Sequence, residues 1–351
     1  MEHPFMTDGT LGVEEEFYAV DPNTLEPVSA SDDLLQNPPG QLEGKIDVEL
    51  FKCILELRTS VCDSMEELKN EIDRKRQYFT EYARTHGYDI IAAGLHPMAR
   101  WRELEHVEKP RYIDQMERIQ YPQHRNLTAG LHVHVGVEGA EKAVYIVNEA
   151  RRHLPLLLAL SANSPFWNGH STGLRSSRAN IFENLPNTGI PTRFDSWQSF
   201  RTFERTMLST GSIHDRGELW WDIRPHTGYG TVEFRVMDTQ ISQDKTIAFA
   251  RLIQQLVDHL GDRYDQRGGK TQQQHELLKA NKWKAARHGQ EALLLRDEEK
   301  HSIDTELSRL DRKLDLRHNT IETLQQPSGA SKQLEAFDSD NLHDVCRSCI
   351  I

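Results

Sequence analysis

The residues of this chain best suited to chemistry are carboxylate, imidazole and guanidinium side chains set two apart within short apolar segments. In Leu131-His132-Val133-His134-Val135 the odd positions are apolar and the even ones are His132 and His134. In Val232-Glu233-Phe234-Arg235-Val236, Glu233 and Arg235 alternate with apolar residues. Glu14 and Glu16 oppose Val13 and Phe17, and Glu56 and Arg58 oppose Cys53, Leu55 and Leu57. Side chains alternate across a strand, so each segment reads as a strand with one apolar face and one reactive face. If the four share a sheet, its polar face gathers Glu14, Glu16, Glu56, Glu233, His132, His134, Arg58 and Arg235. Carboxylates packed that closely repel unless cations lie between them. Carboxylate oxygens with an imidazole suit Mg²⁺ or Mn²⁺, and Arg and His beside such ions suit a triphosphate. The plain alternative is a solvated face, because antiparallel sheets often keep one side in water. Such a face would carry Lys, Thr, Ser and Gln. Glu-x-Glu, His-x-His and Glu-x-Arg on separate segments point instead to a site.

These residues need strands to hold them and helices to cover the apolar side. The pattern predicts strands at Leu11–Val20, Cys53–Thr59, Ile90–Ala93, Gly130–Val137 and Thr231–Asp238. It predicts helices at Ser64–His86, Ala140–Ala159, Ser196–Leu208, Gln243–Tyr264 and Thr271–Lys284. Met65, Leu68, Ile72, Phe79 and Ala83 share one face of the first helix, with Asp63 as its expected cap. Between the elements runs a long loop, Ser161–Pro191, whose Arg and aromatic content argues for function. A Gly-rich connection, His226–Gly230, precedes the Thr231 strand. After Gly289 the chain reads as a charged, heptad-like helical stretch with Leu293, Leu307, Leu310, Leu314 and Ile321, and from Gln326 as a polar tail. The expected division is a catalytic domain over 1–289 and a helical extension with tail over 290–351.

Bulk composition narrows the function. The 351 residues carry 42 Lys and Arg against 54 Asp and Glu, a net charge of −12. That balance makes a poor generic binder of nucleic acid or of anionic membranes. Met1–Thr10 lacks the pattern of a signal peptide, and the longest apolar stretch, Leu154–Ala162, contains Pro155 and is too short to span a bilayer. The expected location is the cytoplasm. Four cysteines do not make a disulfide scaffold in a chain of this length. Cys346 and Cys349 form a CxxC beside the C-terminus, a spacing that specifies little by itself. Gly269-Lys270-Thr271 ends like a P-loop, but Tyr264 stands where the first glycine would be and a helix precedes it. No GxGxxG follows a strand, so a dinucleotide fold is unsupported.

Taken together, "GVEEEF", "ELFKCILELRT", "AGLHVHVGV", "SANSPFWNG", "LPNTGIP", "RPHTGYGTVEFRVMD" and "NKWKAARHG" make the chain resemble the second glutamate–cysteine ligase family, nearest its haloarchaeal members. The resemblance runs from about Gly9 to Gly289. It implies an α+β, glutamine synthetase-like fold: a curved antiparallel sheet with helices on the convex face and the active site on the concave one. It implies ATP with Mg²⁺ (or Mn²⁺) as cofactors, and metal-ligand roles for Glu14, Glu16, Glu56, His132 and Glu233. Glu49 joins that set, but it lies seven residues from Glu56, so on one regular strand the two would face oppositely. The resemblance puts His134 near the phosphates and Arg235 beside the transferred phosphoryl group. Arg224 is implied as a substrate or phosphate ligand, and Arg178, with Arg175, as a candidate from the long loop. Lys282 and Arg287 match a late motif without an assigned role.

The implied reaction joins the γ-carboxylate of glutamate to cysteine through a γ-glutamyl phosphate. Small-molecule partners are therefore glutamate, cysteine and ATP, with neither nucleic acid nor membrane, and a homo-oligomer is compatible with the sequence. Three other readings compete. A carboxylate–amine ligase with another acceptor would keep the metal residues and differ in its loops. A zinc hydrolase would need further ligands such as His214 or His226. A non-catalytic nucleotide-binding protein would lack some of the motif residues, and none is missing.

Overall fold

The computed structural model describes residues 5–271, 274–316, 318–337 and 341–351. Residues 1–4 of the N-terminal segment, 272–273 of the last expected helix and 338–340 of the expected tail lie outside the described residues. The fold is mixed helix and sheet, built on one antiparallel sheet. Its strands are β1 (Leu11–Val20), β2 (Ile46–Val48), β3 (Ile54–Arg58), β4 (Asp89–Ile91), β5 (Gly130–Gly136), β8 (Ile223–His226) and β9 (Thr231–Asp238), in the order β2-β3-β1-β5-β9-β8. β4 pairs with the end of β1 that β5 leaves free. Two short hairpins stand apart: β6 (Phe166–Trp167) with β7 (His170–Ser171), and β10 (Leu293–Arg296) with β11 (Glu299–Ser302).

The alternation sorts the two faces as the sequence predicts. Val13, Leu131, Val133, Val135, Val232, Phe234 and Val236 enter one buried core with the helices Ala140–Ala150, Leu154–Ser161 and Gln243–Asp265. Phe17, Leu55 and Leu57 pack on Phe79 and Ala83 of the helix Met65–Thr85. Glu15 also points to this apolar side, where the Arg76 guanidinium clasps it at 2.9 and 2.5 Å. Arg76 further donates to the carbonyls of Gln240 and Ile241, tying that helix to the chain after β9. Beyond one edge of the polar face a second core closes over the sheet. There Tyr18, Ile54, Leu50 and Phe51 meet Val107, Tyr112 and Leu127.

Several expectations are corrected locally. Ser64, not Asp63, caps the first long helix, its hydroxyl accepting from the Glu67 N–H at 3.1 Å. The predicted Ala140–Ala159 helix is two helices with a 3₁₀ turn at Arg151–His153, because Pro155 lacks the N–H a continuous helix needs. The loop Ser161–Pro191 contains the β6–β7 hairpin and the helix Ser177–Phe182. The stretch after Gly289 opens with the β10–β11 hairpin before its helix, Ile303–Leu314. The expected polar tail contains the helices Gly329–Ala336 and Leu342–Arg347 and ends against the sheet: Ile350 bridges Ile91, and Cys346 and Cys349 are buried. A few apolar residues spaced among polar ones suffice to anchor such a segment, and a compositional reading averages them away. Among the described residues no helix is long and apolar enough to cross a membrane.

Candidate active site

Register, more than sequence proximity, assembles the polar face. Across β1 and β5, Glu14 stands opposite His132 and Gly12 opposite His134. Across β1 and β3, Glu14 stands opposite Arg58 and Glu16 opposite Glu56. Across β5 and β9, His134 stands opposite Glu233, which in turn faces Arg224 on β8. Directly opposed residues share a face, so these pairings make one field of side chains. The β5–β9 register slips between Leu131 and Val133, beside His132 and Arg235. Bulges of this kind bend a strand and re-aim its side chains. Glu49 reaches the same face because it directly follows β2, which doubles back against the β3 strand that carries Glu56. Asp47 on β2 pairs with Glu56 on β3, and Glu49 follows Asp47 by two, so the odd offset along the chain becomes an alignment across the turn.

Six acids and imidazoles expected as ligands, with His134, fall into three overlapping groups. These are Glu14, His134 and Glu233; Glu14, Glu56 and His132; and Glu16, Glu49 and Glu56. Within each group one donor atom per residue lies within 4.8 Å of the others. His134 Nε2 sits 3.6 Å from Glu14 Oε1 and 3.9 Å from Glu233 Oε1, and His132 Nε2 sits 4.0 Å from Glu16 Oε1. Both Nε2 atoms are buried without a hydrogen-bond partner. Donors bound to one ion at about 2.0–2.2 Å are themselves roughly 3–4 Å apart, so these separations fit a shared cation.

The protonation pattern agrees. Burial, and next to it the Glu49 carboxylate, push Glu16 up to about 8. Burial together with Glu14, Glu49 and Glu16 holds Glu56 well above the carboxylate range, and burial raises Glu49. Burial also pushes against Glu233 and Glu14, yet Arg224 and Arg235 hold Glu233 well below that range, and His134 and His132 do the same for Glu14. Burial, with Arg235 alongside, drops His132 to about 4, which leaves it neutral as a metal ligand must be. Burial opposes charge on His134, but Glu233 and Glu14 outweigh it and raise its pKa. Glu16, Glu49 and Glu56 are thus raised although Arg58, Arg111, Arg178 and Arg235 lie near them, because burial and their mutual repulsion outweigh those cations. A donor set this rich in carboxylate fits a hard divalent cation better than the His-rich set of zinc hydrolases.

The guanidiniums divide by what they touch. Arg235 holds Glu233 Oε1 through Nη1 at 2.5 Å, while its buried Nε has no partner. Arg178 is 4 % exposed, lines the same cavity and leaves its Nε unpartnered. Gly130 makes room for it, since a Cβ there would lie 2.2 Å from Arg178 Nη2. Arg224 also lines the cavity, but its donors are committed to Glu233 at 2.6 and 3.3 Å and to the carbonyls of Gly217 and Leu219 at 2.8 and 2.9 Å. Arg175 pairs with exposed Glu291, Lys282 with Asp222 and Glu183, and Arg287 with the Gly173 carbonyl, so none of the three lines the cavity. His214 pairs with Asp114 outside it. His226 does line it, stacked on Tyr229 at 4.3 Å.

Other cavity residues escaped the sequence reading. Arg111, Tyr112, Gln115 and Gln123 come from the 110–124 segment, where no alternation marks them. Asp47 was legible, because Ile46-Asp47-Val48-Glu49 repeats the same alternation.

Comparison with known proteins finds relatives of the whole chain. The model of glutamate-cysteine ligase family 2 (GCS2) matches residues 10–338. The chain is 47 % identical over 352 residues to a glutamate–cysteine ligase of Natronomonas pharaonis, covering 98 % of this chain and 96 % of that protein. It is 54 % identical over 285 residues to one of Haloferax volcanii, covering 81 % and 79 %. In structure it resembles a bifunctional glutathione synthetase from Pasteurella multocida, with TM-score 0.70, 13 % identity, and coverage of 97 % of this chain and 52 % of that one. It also resembles a glutamate–cysteine ligase from Francisella tularensis in complex with AMP, with TM-score 0.69, 13 % identity, and coverage of 98 % and 88 %. At that identity the two structures speak for the fold alone.

Proposed function

This chain belongs to glutamate-cysteine ligase family 2, and from that premise we propose that it is a cytoplasmic, ATP-dependent ligase joining the γ-carboxylate of L-glutamate to L-cysteine. The observation that carries the reading is the set of three donor groups sharing Glu14 and Glu56 in a cavity that Arg235 and Arg178 also line. The sheet is read as glutamine synthetase-like, with the site on the face opposite the helices.

A carboxylate does not react with an amine at neutral pH, so it must first be activated. The γ-phosphoryl group of ATP passes to the glutamate γ-carboxylate and ADP leaves. The cysteine nitrogen then attacks the acyl carbon, phosphate departs, and the amine gives up a proton to yield γ-glutamylcysteine. Both steps bring anions together. Glu14, Glu16, Glu49, Glu56, His132 and Glu233 would hold Mg²⁺ or Mn²⁺, which when bound supplies positive charge to the phosphate oxygens. Arg235 offers its unpartnered Nε, and Arg178 its own, to negative charge that grows during transfer. His134, its Nδ1 held by the Thr231 hydroxyl at 2.9 Å, turns Nε2 toward the same region. Arg224 acts one step removed, fixing the Glu233 carboxylate against the backbone.

The test is phosphate release from ATP with Mg²⁺ and glutamate against a panel of amines, at low and high KCl, with the product identified by mass spectrometry. Turnover driven by cysteine with γ-glutamylcysteine as product is expected. Turnover with another amine alone would keep the ligase and replace its acceptor. No ATP-dependent product in either salt would overturn the reading.

A further inference from the structure

A second recess, of about 880 Å³, lies beside the end of the helix Ala140–Ala150, the start of the helix His275–His288 and the β10–β11 hairpin. It shares no lining residue with the cavity on the sheet. Arg151, Arg152, Arg193, Lys270 and Arg296 line it, against Asp297, Glu298 and Glu306. In a chain of net charge −12 such a gathering of cations is not an average of the surface.

Some of these donors are left over from contacts within the protein. Arg152 makes no hydrogen bond or ion pair with the described residues. Arg193 touches Glu149 Oε1 at 3.4 Å and the Thr271 carbonyl at 3.3 Å through Nη1, and its buried Nη2 has no partner. Arg151, 2 % exposed, commits Nε to the Asn148 carbonyl and Nη1 to that of Pro191. Glu306 is already shared between Arg296 and Arg309, and Asp297 and Glu298 sit at the exposed hairpin turn. Burial lowers the pKa of Arg151 and of Arg152, with Arg193 adding repulsion to the first and Arg296 to the second, only partly offset by the buried Glu149 carboxylate and, for Arg152, by Glu306. The helix His275–His288 begins at this recess with no side-chain cap on Gln274, which adds the positive end of its dipole.

We propose that this recess binds a small phosphate-bearing anion, a diphosphate or a nucleotide, at a site separate from the catalytic cavity. The guanidiniums come from three separate segments that line the space, as a tetrahedral group with several oxygens requires, whereas one planar carboxylate is satisfied by a single fork. The volume lies in the range of small-molecule sites, roughly 300–1,000 Å³. Lys270 thus belongs to an anion site built without the P-loop that its neighbours imitate.

Calorimetric titration of the full chain in EDTA with inorganic pyrophosphate, ADP and citrate tests this, with Arg235→Ser to remove binding at the catalytic cavity. Binding at the recess is expected to persist in Arg235→Ser with the affinity it has in wild type, for pyrophosphate or ADP, the tighter of the two identifying the source. Arg152→Ser/Arg193→Ser is expected to weaken that binding about ten- to a hundred-fold, the range for charge-assisted hydrogen bonds. Should that variant melt early, Arg152→Lys/Arg193→Lys, which keeps charge but loses the fork, is expected to weaken binding less while still falling short of wild type. Binding lost only in Arg235→Ser, binding unchanged in both recess variants, citrate as tight as pyrophosphate, or no binding at all would each overturn the proposal. Loss of ligase turnover would leave this result intact, because the titration does not depend on it.

Discussion

Glu16 is the residue whose charge depends most plainly on what lies beside it. Held up to about 8 by burial and by Glu49, it is protonated in the metal-free fold at neutral pH, whereas the unfolded chain ionises it near 4.5. The folded state therefore binds more protons between those values, and its stability falls as pH rises through them. Below about 6.5 an opposing trend acts, because His132, lowered to about 4, makes folding more favourable as pH rises. From pH 6.5 to 8 that opposition ends, and raised His134 adds to the descent. Melting curves in EDTA should thus show the melting temperature dropping from pH 6.5 to 8, and Mg²⁺ should restore it most at the upper end. A flat profile with and without Mg²⁺ would contradict the proposed ligand set. The same set predicts that Glu233→Gln or His132→Ala lowers kcat by at least about 100-fold, the scale of lost electrostatic stabilisation, with the circular dichroism spectrum kept.

Strands place these residues, and strands are where the sequence was most readable. β1 and β9 have the predicted ends, because period-two alternation of apolar and reactive residues leaves no rival reading. Pairing was less legible: nothing local in Glu14 or His132 states that they stand opposite each other, or that β2 and β3 fold back to align Asp47 with Glu56. Arg111, Tyr112 and Gln123 were invisible for the same reason, since tertiary packing of a helical segment delivers them. Two element-scale effects follow. Gly130→Ala puts a Cβ 2.2 Å from Arg178 Nη2 and 3.2 Å from His132 Nε2, so it should displace Arg178. Steady-state kinetics should then show kcat/KM for ATP reduced about 100-fold, as a misplacement of about 1 Å costs. Arg76→Met leaves Glu15 buried and uncompensated beneath the sheet. Urea titration should show stability lower by about 3–5 kcal/mol, the cost of breaking a buried pair from one side.

At the scale of the molecule, the question is whether the chain after Gly289 is an appendage. Leu294, Ile303, Leu307, Leu310, Leu316 and Leu324 lie in the same buried core as Val133 and Phe234, the apolar backs of the strands that carry His132, His134, Glu233 and Arg235. Gln333 reaches Asn163 at 2.8 Å, and Asn163 holds the carbonyls of Ala92 and Thr239. The last residue, Ile351, donates to Ile90 at 3.1 Å. Six buried aliphatic side chains at about 1.5–3 kcal/mol each amount to roughly 9–18 kcal/mol. That is comparable to the total stability of an ordinary domain, about 5–15 kcal/mol. Truncation after Gly289 should therefore cost the fold and not merely trim it. The fragment 1–289 is expected to be insoluble or to lack a cooperative melt, and to show no turnover. A fragment that melts cooperatively near the full-length temperature would mean that the C-terminal segment only covers a core able to stand without it.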